Sequence, residues 1–183
     1  MENIINTHEK IDGSIPQSSM TSEGISISGH YDVTCHDANG NLIWEDTIEN
    51  LVMTVGKTDI LTNYFTGSAY TAAFFLGLLN TGATYAIGDT MSSHATWTEN
   101  VNYASATRPA PTWNAASGTA RATTATAFAI NGAGGTIAGA FLTTNSTKSG
   151  TTGTLYSAGN FTGGDKVVAS GDTLNVTYTA NIT

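Results

Sequence analysis

Residues 25–49, ISISGHYDVTCHDANGNLIWEDTIE, have the pattern of a β-hairpin. Apolar residues share one parity along residues 25–35, which is the two-residue period of a strand with one buried face. Gly29 interrupts this order and predicts a bulge or a bend. Asn39-Gly40 supplies the positive-φ pair that a tight hairpin turn needs. The returning segment, residues 42–48, alternates apolar and polar side chains again, so a hairpin is the first prediction.

The C-terminal third of the chain continues this short-strand pattern. Residues 174–182 alternate cleanly, with Leu174, Val176 and Tyr178 on one face and Asn or Thr on the other. Further segments of strand character, separated by glycine-rich turns, are residues 121–130, 137–144, 154–161 and 166–169. About eight short strands at this spacing predict an all-β, jelly-roll-like β-sandwich, and a single sequence leaves their order open.

One short helix is predicted, over about residues 55–66. Ile60, Leu61, Tyr64 and Phe65 give it an apolar face, and Gly67 is a natural C-terminal stop. The next segment, residues 72–79, is a continuous apolar run bounded by turn residues. Its length suits a strand that is buried on both faces better than a second helix.

Two parts of the chain lack a sustained period. Residues 1–24 are rich in Ser and contain few apolar side chains. Burial of so little apolar surface cannot offset the entropy lost when the segment becomes ordered, so we expect a flexible arm. Arms of this kind often fold only onto a neighbour. The β-sandwich domain is then residues 25–183. Within it, residues 80–118 are broken by Gly, Pro and Asn, and long irregular segments tend to be functional or interfacial.

Composition narrows the function classes. The chain has 183 residues, of which 40% are hydrophobic and 11% charged, with a formal net charge of −8. The fourteen acidic and six basic residues argue against binding to nucleic acid or to an anionic membrane. A polar N-terminus and the short apolar runs predict neither a signal peptide nor a spanning helix. Cys35 is the only cysteine, which excludes an intrachain disulfide and fits a reducing cytoplasm.

Charge is unevenly divided along the chain. Residues 1–100 carry twelve acidic and two basic residues, whereas residues 101–183 carry two acidic and four basic ones. The cores of protein interfaces are depleted in charge, so the second half could pack on copies of itself. A sheet solvated by Thr, Ser and Asn would have the same composition, and both interpretations remain open.

No set of side chains has the spacing of a catalytic or metal site. His30 and His36 would share one strand face but lie roughly 20 Å apart, which is too far for one metal ion. Cys35 and His36 would point to opposite faces. Residues 37–41 resemble a Ca²⁺ loop but lack the downstream bidentate Glu. A hairpin turn is therefore the simpler explanation of this segment. We therefore expect no enzyme, no cofactor and no metal.

Aromatic residues of the irregular segment are the candidate contact residues. Trp97, Tyr103 and Trp113 lie there at irregular spacing. With Phe128 and Phe141 they could form a platform on which sugars stack. Aromatic residues of a small sandwich belong more often to its core or to a subunit interface. We predict Trp97, Tyr103 and Trp113 as interface residues.

Several strings resemble small virion proteins of tailed bacteriophages, and the resemblance covers residues 25–183. The strings are residues 50–52, 56–61, 75–78, 85–94, 97–99, 138–144, 163–166 and 170–178. Capsid decoration (cement) proteins of jelly-roll type look closest in size and chemistry. The resemblance consists of short sequence strings rather than a catalytic signature, and it does not indicate which residues contact the capsid.

The resemblance implies a function in the virion. It implies a homotrimer at local threefold positions on the outer surface of an expanded head, bound to the major capsid protein and assembled in the host cytoplasm. The arm would reach across neighbouring subunits or the shell. The alternative is a tail-fibre or receptor-binding module in which Trp97, Tyr103 and Trp113 contact host glycan. Neither alternative includes nucleic acid or a membrane as a partner.

Overall fold

The computed structural model describes residues 24–65 and 73–183, which form two antiparallel sheets and one helix. The predicted all-β sandwich with one short helix is confirmed. The predicted arm lies outside the described residues except for Gly24. The elements are β1 (Ile27–His36), β2 (Leu42–Glu49), β3 (Leu51–Val52), α1 (Thr54–Phe65), β4 (Phe75–Asn80), β5 (Glu99–Asn100), β6 (Ala120–Ala122), β7 (Thr126–Ala129), β8 (Gly135–Thr143), β9 (Leu155–Asn160), β10 (Lys166–Val168) and β11 (Thr173–Ile182).

The first sheet has the order β2-β1-β11-β6, and β7 also pairs with β11. β1 and β11 pair along their full length, from Ile27 opposite Ile182 to His36 opposite Thr173. Alternate residues of β1, such as Tyr31 and Val33, are buried between the sheets, so the two-residue period of the sequence is confirmed.

The β1–β2 hairpin is confirmed, but two of its predicted details are wrong. Only Gly40 of the turn pair has a positive φ, at 84°, because the connection is a longer loop closed by hydrogen bonds between Asp37 and Asn41. Gly29 makes no bulge: its pairing with Ala180 is regular. A Cβ atom at this position would lie 2.5 Å from the Tyr178 hydroxyl oxygen, so only glycine leaves room for the Tyr178 side chain.

The second sheet has the order β3-β9-β8-β4-β5, and β10 also pairs with β8. β4 is buried on both faces, as its continuous apolar run predicts. Leu76 and Leu78 belong to the core between the sheets, whereas Leu79 belongs to a second cluster with Met91 and Trp97. Part of the irregular segment therefore covers the outer face of this sheet.

The helix α1 packs on β9, and its contact residue is a glycine. A Cβ atom on Gly56 would lie 2.7 Å from the Tyr156 carbonyl oxygen, so only glycine permits this approach. Ile60 is half-buried against the core, whereas Leu61, Tyr64 and Phe65 are exposed. The predicted apolar face therefore exists, but most of it points away from the sandwich.

Candidate functional site

Two of the three aromatic residues predicted at the interface lie in the core. Trp97 is 4% exposed and stacks on His94 with ring centres 3.7 Å apart. Tyr103 is 2% exposed and meets the edge of Phe128 at 5.0 Å. Trp97 belongs to the outer cluster and Tyr103 to the core between the sheets, so the two do not form one surface. Phe128 and Phe141 are buried as well, so these aromatic residues pack mainly in the core, as is more usual in a small sandwich than a platform for sugars.

Trp113 is the one predicted interface residue that reaches the surface. Its indole is half-buried and packs against Phe74 and Tyr178, with ring centres 5.8 and 6.0 Å apart. The Arg121 guanidinium lies 5.6 Å from the indole centre, and its Nε donates to the Asn114 carbonyl oxygen at 2.9 Å. Trp113 is thus held in a fixed orientation beside a cation.

Trp113 lines one end of a long apolar groove between α1 and the first sheet. The groove consists of three adjoining depressions that share Ile60, and the widest encloses about 560 Å³. We define the apolar groove by six of its residues, which are Ile60, Leu61, Tyr64, Phe65, Phe74 and Trp113. Ile27 and Ile182 line two of the three depressions.

Large apolar side chains at the wide end of the groove face solvent. They are Ile25 (79% exposed), Tyr64 (78%), Phe65 (73%), Leu61 (57%) and Ile182 (51%). At about 200 Å² for a large residue, these fractions amount to roughly 700 Å² of mostly apolar surface. That value is slightly above the largest apolar patch of a typical monomeric protein, about 300–600 Å².

The charges that line the groove have one sign. Among its described lining residues, Lys57 and Arg121 are charged and none is acidic. Lys57, Leu61 and Tyr64 follow at helical spacing on the same side of α1, which places the ammonium group beside the exposed apolar side chains. The Asp59 carboxylate lies nearby, because burial and then this charge raise the pKa of the lining residue Tyr156 to about 12. The groove is therefore an apolar surface with two cations on its lining and one carboxylate beside it.

A buried ion pair holds the irregular segment in place. Arg108 donates to both carboxylate oxygens of Glu99, at 3.0 and 2.9 Å, and to the carbonyl oxygens of Asn145 and Gly150 at 2.9 and 3.2 Å. Glu99 also accepts from the Ser149 amide, and Ser149 has φ 55°. One charge pair thus connects β5 and the segment after it to the β8–β9 loop.

The groups of this ion pair have further partners inside the protein. The Tyr103 hydroxyl donates to the Glu99 carboxylate at 3.4 Å. Burial raises the pKa of Tyr103, and the negative charge of Glu99 raises it further. Lys148 donates to the Tyr103 carbonyl oxygen at 2.7 Å and lies 3.7 Å from the Tyr103 ring centre. A depression of about 230 Å³ adjoins the Glu99–Arg108 pair. The Arg108 guanidinium nevertheless donates its hydrogen bonds to acceptors within the protein.

The remaining titratable residues are dispersed. Within residues 24–65 and 73–183, no three His, Cys, Asp or Glu side chains are close enough to hold a metal ion. His30 faces Asp32 at 3.6 Å, whereas His36 contacts the Asn175 side chain. Cys35 is buried, and burial raises the pKa of its thiol to about 11.

Comparison with known proteins found no match among protein-family models, curated proteins or solved structures. In the described part of the chain, no helix has the length and apolar character needed to cross a membrane.

The sequence analysis missed the groove and the ion pair for different reasons. The apolar face of α1 was visible in the sequence, but its exposure depends on the approach of Gly56 to β9. The sequence analysis assigned no role to Glu99 or Arg108. A signal existed, because Arg108 is one of two arginines in a chain with only 11% charged residues.

Proposed function

We propose that the chain is a non-enzymatic decoration protein of a tailed-phage head, which binds the outer capsid surface as a homotrimer and stabilises the shell. The observation that carries the proposal is the apolar groove. Roughly 700 Å² of mostly apolar surface is close to the ~800 Å² per partner of a standard protein interface. Such a surface favours association as the task of the molecule, because it is costly to leave in water.

The phage setting comes from the resemblance of residues 25–183 to small virion proteins. A compact sandwich with few charges suits repeated placement on a closed symmetric shell, where many identical weak contacts add up. The major capsid protein and other copies of this chain are the proposed partners. The outer surface of the virion is the proposed location.

The tail-fibre alternative rests on glycan contact through aromatic side chains. Burial of Trp97 and Tyr103 leaves Trp113 as the only one of the three that a sugar could reach. A single half-buried indole is a weaker glycan site than a platform of three, so the structure supports this alternative less than the head proposal.

The first test is the copy number per particle, measured by quantitative mass spectrometry of purified virions. Copies on the order of hundreds, as repetition over a closed shell requires, are the expected result. Tens of copies or fewer would move the protein to the tail, and absence from the particle would refute the virion proposal.

The second test asks whether the groove carries the attachment. Leu61→Gln and Tyr64→Gln should weaken rebinding to particles stripped of the protein. Ile43→Gln and Val167→Gln are the matched controls, because both side chains are exposed and apolar but do not line the groove. Equal binding by the groove variants and the controls would contradict attachment through this surface.

A further inference from the structure

We infer that residues 1–23 of the same chain, the N-terminal segment, cover the apolar groove while the protein is unattached, and that the shell displaces them. The second half of this inference rests on the proposed function, in which the groove attaches the protein to the particle. The segment lies outside the described residues, whereas the groove lies within them. Three observations carry the inference: where the described chain begins, which charges meet there, and how much apolar surface is available.

The described chain begins at the groove itself. Ile25 and Ser26 line the widest depression together with exposed side chains of α1. Ser26 and Thr183 exchange two backbone hydrogen bonds, at 2.6 and 2.9 Å, which fix the entry of the chain into the first sheet beside this depression. The N-terminal segment is therefore tethered next to the groove. A short flexible tether gives an effective concentration in the millimolar range, which exceeds that of a second copy in micromolar solution.

The charges closest to this starting point are opposite in sign. Lys57 is the one charged residue in the described lining of the widest depression. The N-terminal segment carries four acidic residues and one lysine, and one of the acidic residues immediately precedes the described part of the chain. The Asp59 carboxylate lies near Tyr156, which lines the other two depressions. Attraction to Lys57 therefore favours the segment in the widest depression.

The segment and the groove supply apolar surface to each other. The segment contains four isoleucines, which are Ile4, Ile5, Ile11 and Ile15. Alone, so few apolar side chains do not offset the entropy of ordering the segment. In the groove they meet roughly 700 Å² of mostly apolar surface, so that both partners lose contact with water. The ordering entropy still opposes this gain, so a rigid partner that needs no such ordering can displace the segment.

The segment is long enough to reach the groove and the rest of the surface as well. From Ile4 to Ile25 the extended chain spans at most about 70–75 Å, and from Ile11 about 45–50 Å. A domain of this size is roughly 40 Å across. A preference for the groove over other exposed positions would therefore report binding and not the reach of the segment.

The first test uses cysteine pairs in the full-length chain. Ile4→Cys and Ile11→Cys are each combined with Tyr64→Cys in the groove. Cys35 is left unchanged because it is buried. The same two segment positions combined with Val167→Cys are the matched control, since Val167 is exposed but does not line the groove. A mixture of isotopically labelled and unlabelled chains identifies crosslinks between copies by mass spectrometry.

The expected result is a crosslink to the groove within single chains. After mild oxidation at micromolar concentration, at least one pair with Tyr64→Cys should close at least ~10-fold faster than its Val167→Cys control. Equal rates at the two positions would overturn the inference, and so would crosslinks that mainly join labelled to unlabelled chains. Failure of both segment positions to crosslink to Tyr64→Cys would overturn it as well.

The second test asks whether the segment competes with the shell. Replacement of the four isoleucines by Gln should strengthen rebinding to stripped particles at least ~3-fold, the factor for a groove that is open in about a third of unattached chains or fewer. Replacement by Leu, which keeps the apolar surface, should leave rebinding unchanged. Equal rebinding of the Gln variant would overturn the competition. Weaker rebinding would also overturn it, because that is the result of direct contact between the segment and the shell.

The inference and the proposed function fail in different ways. If the unmodified chain does not bind particles, attachment is refuted, and the cysteine pairs still decide whether the segment covers the groove. If the unmodified chain binds, Leu61→Gln binds less tightly and the isoleucine variant shows no gain, only the competition by the N-terminal segment is refuted.

Discussion

Replacement of Arg108 by Ala should destabilise the protein by about 3–5 kcal/mol, because it leaves the Glu99 carboxylate buried without its counter-ion. The guanidinium makes four hydrogen bonds, two to Glu99 and two to the carbonyl oxygens of Asn145 and Gly150. After the change, Glu99 keeps only the Ser149 amide and the Tyr103 hydroxyl as donors.

The local structure moves the expected loss towards the lower end of this range. A depression of about 230 Å³ adjoins the Glu99–Arg108 pair, so water can enter and solvate the carboxylate in part. We therefore expect about 3 kcal/mol. For a domain of this size, that loss corresponds to a fall in Tm of roughly 6–12 °C.

The assay is urea unfolding followed by tryptophan fluorescence, with Arg121→Ala as the control. Arg121 is exposed, and its one hydrogen bond goes to the Asn114 carbonyl oxygen, so its loss should cost under about 1 kcal/mol. Glu99→Gln, made in the unmodified chain and in the Arg108→Ala variant, completes a double-mutant cycle. The cycle should give a coupling energy between Arg108 and Glu99 of about 1–3 kcal/mol. An Arg108→Ala variant as stable as the control would refute the structural role assigned to this ion pair.

Two further predictions concern the core. Gly77→Ala should cost about 1–3 kcal/mol in the same unfolding assay, since the new Cβ atom would collide with the Phe141 ring, and Gly88→Ala, with open space around it, should change little. Stability equal in the two variants would contradict the close approach. Cys35 should react with iodoacetamide at pH 8 at least ~100-fold more slowly in the folded chain than in urea, because burial raises the thiol pKa from 9.0 to about 11 and keeps the reactive thiolate scarce. Rapid labelling under native conditions would show that β1 is accessible.

Some local features of the fold follow from short-range rules. The β1–β2 hairpin, the helix α1 and the fully buried strand β4 all lie within a few residues of their predicted bounds. Each has a signal that is complete within a short window: a two-residue period, a helical apolar face, or an uninterrupted apolar run. The geometry of the turn was predicted less well, because it depends on hydrogen bonds that the Asn39 and Asn41 backbone amides donate to the Asp37 carboxylate.

The candidate site could not be predicted in the same way, because burial of an aromatic side chain depends on what packs across it. Trp97 and Tyr103 lie in the same irregular segment as Trp113, and nothing in the neighbouring residues distinguishes the three. The ion pair between Glu99 and Arg108 holds this segment on the sandwich, where Trp97 and Tyr103 are covered and Trp113 is left at a groove.

The amino-acid sequence by itself therefore determined the class of the fold, an all-β sandwich with one helix, because alternation, turn residues and helix ends act over a few residues. The tertiary structure alone decided which apolar surfaces remain in water. The apolar face of α1 looks like a core face in the sequence, yet Gly56 brings its own side of the helix onto β9 and leaves Leu61 and Phe65, on the far side, exposed. That choice depends on contacts between residues about a hundred positions apart, which no local pattern records.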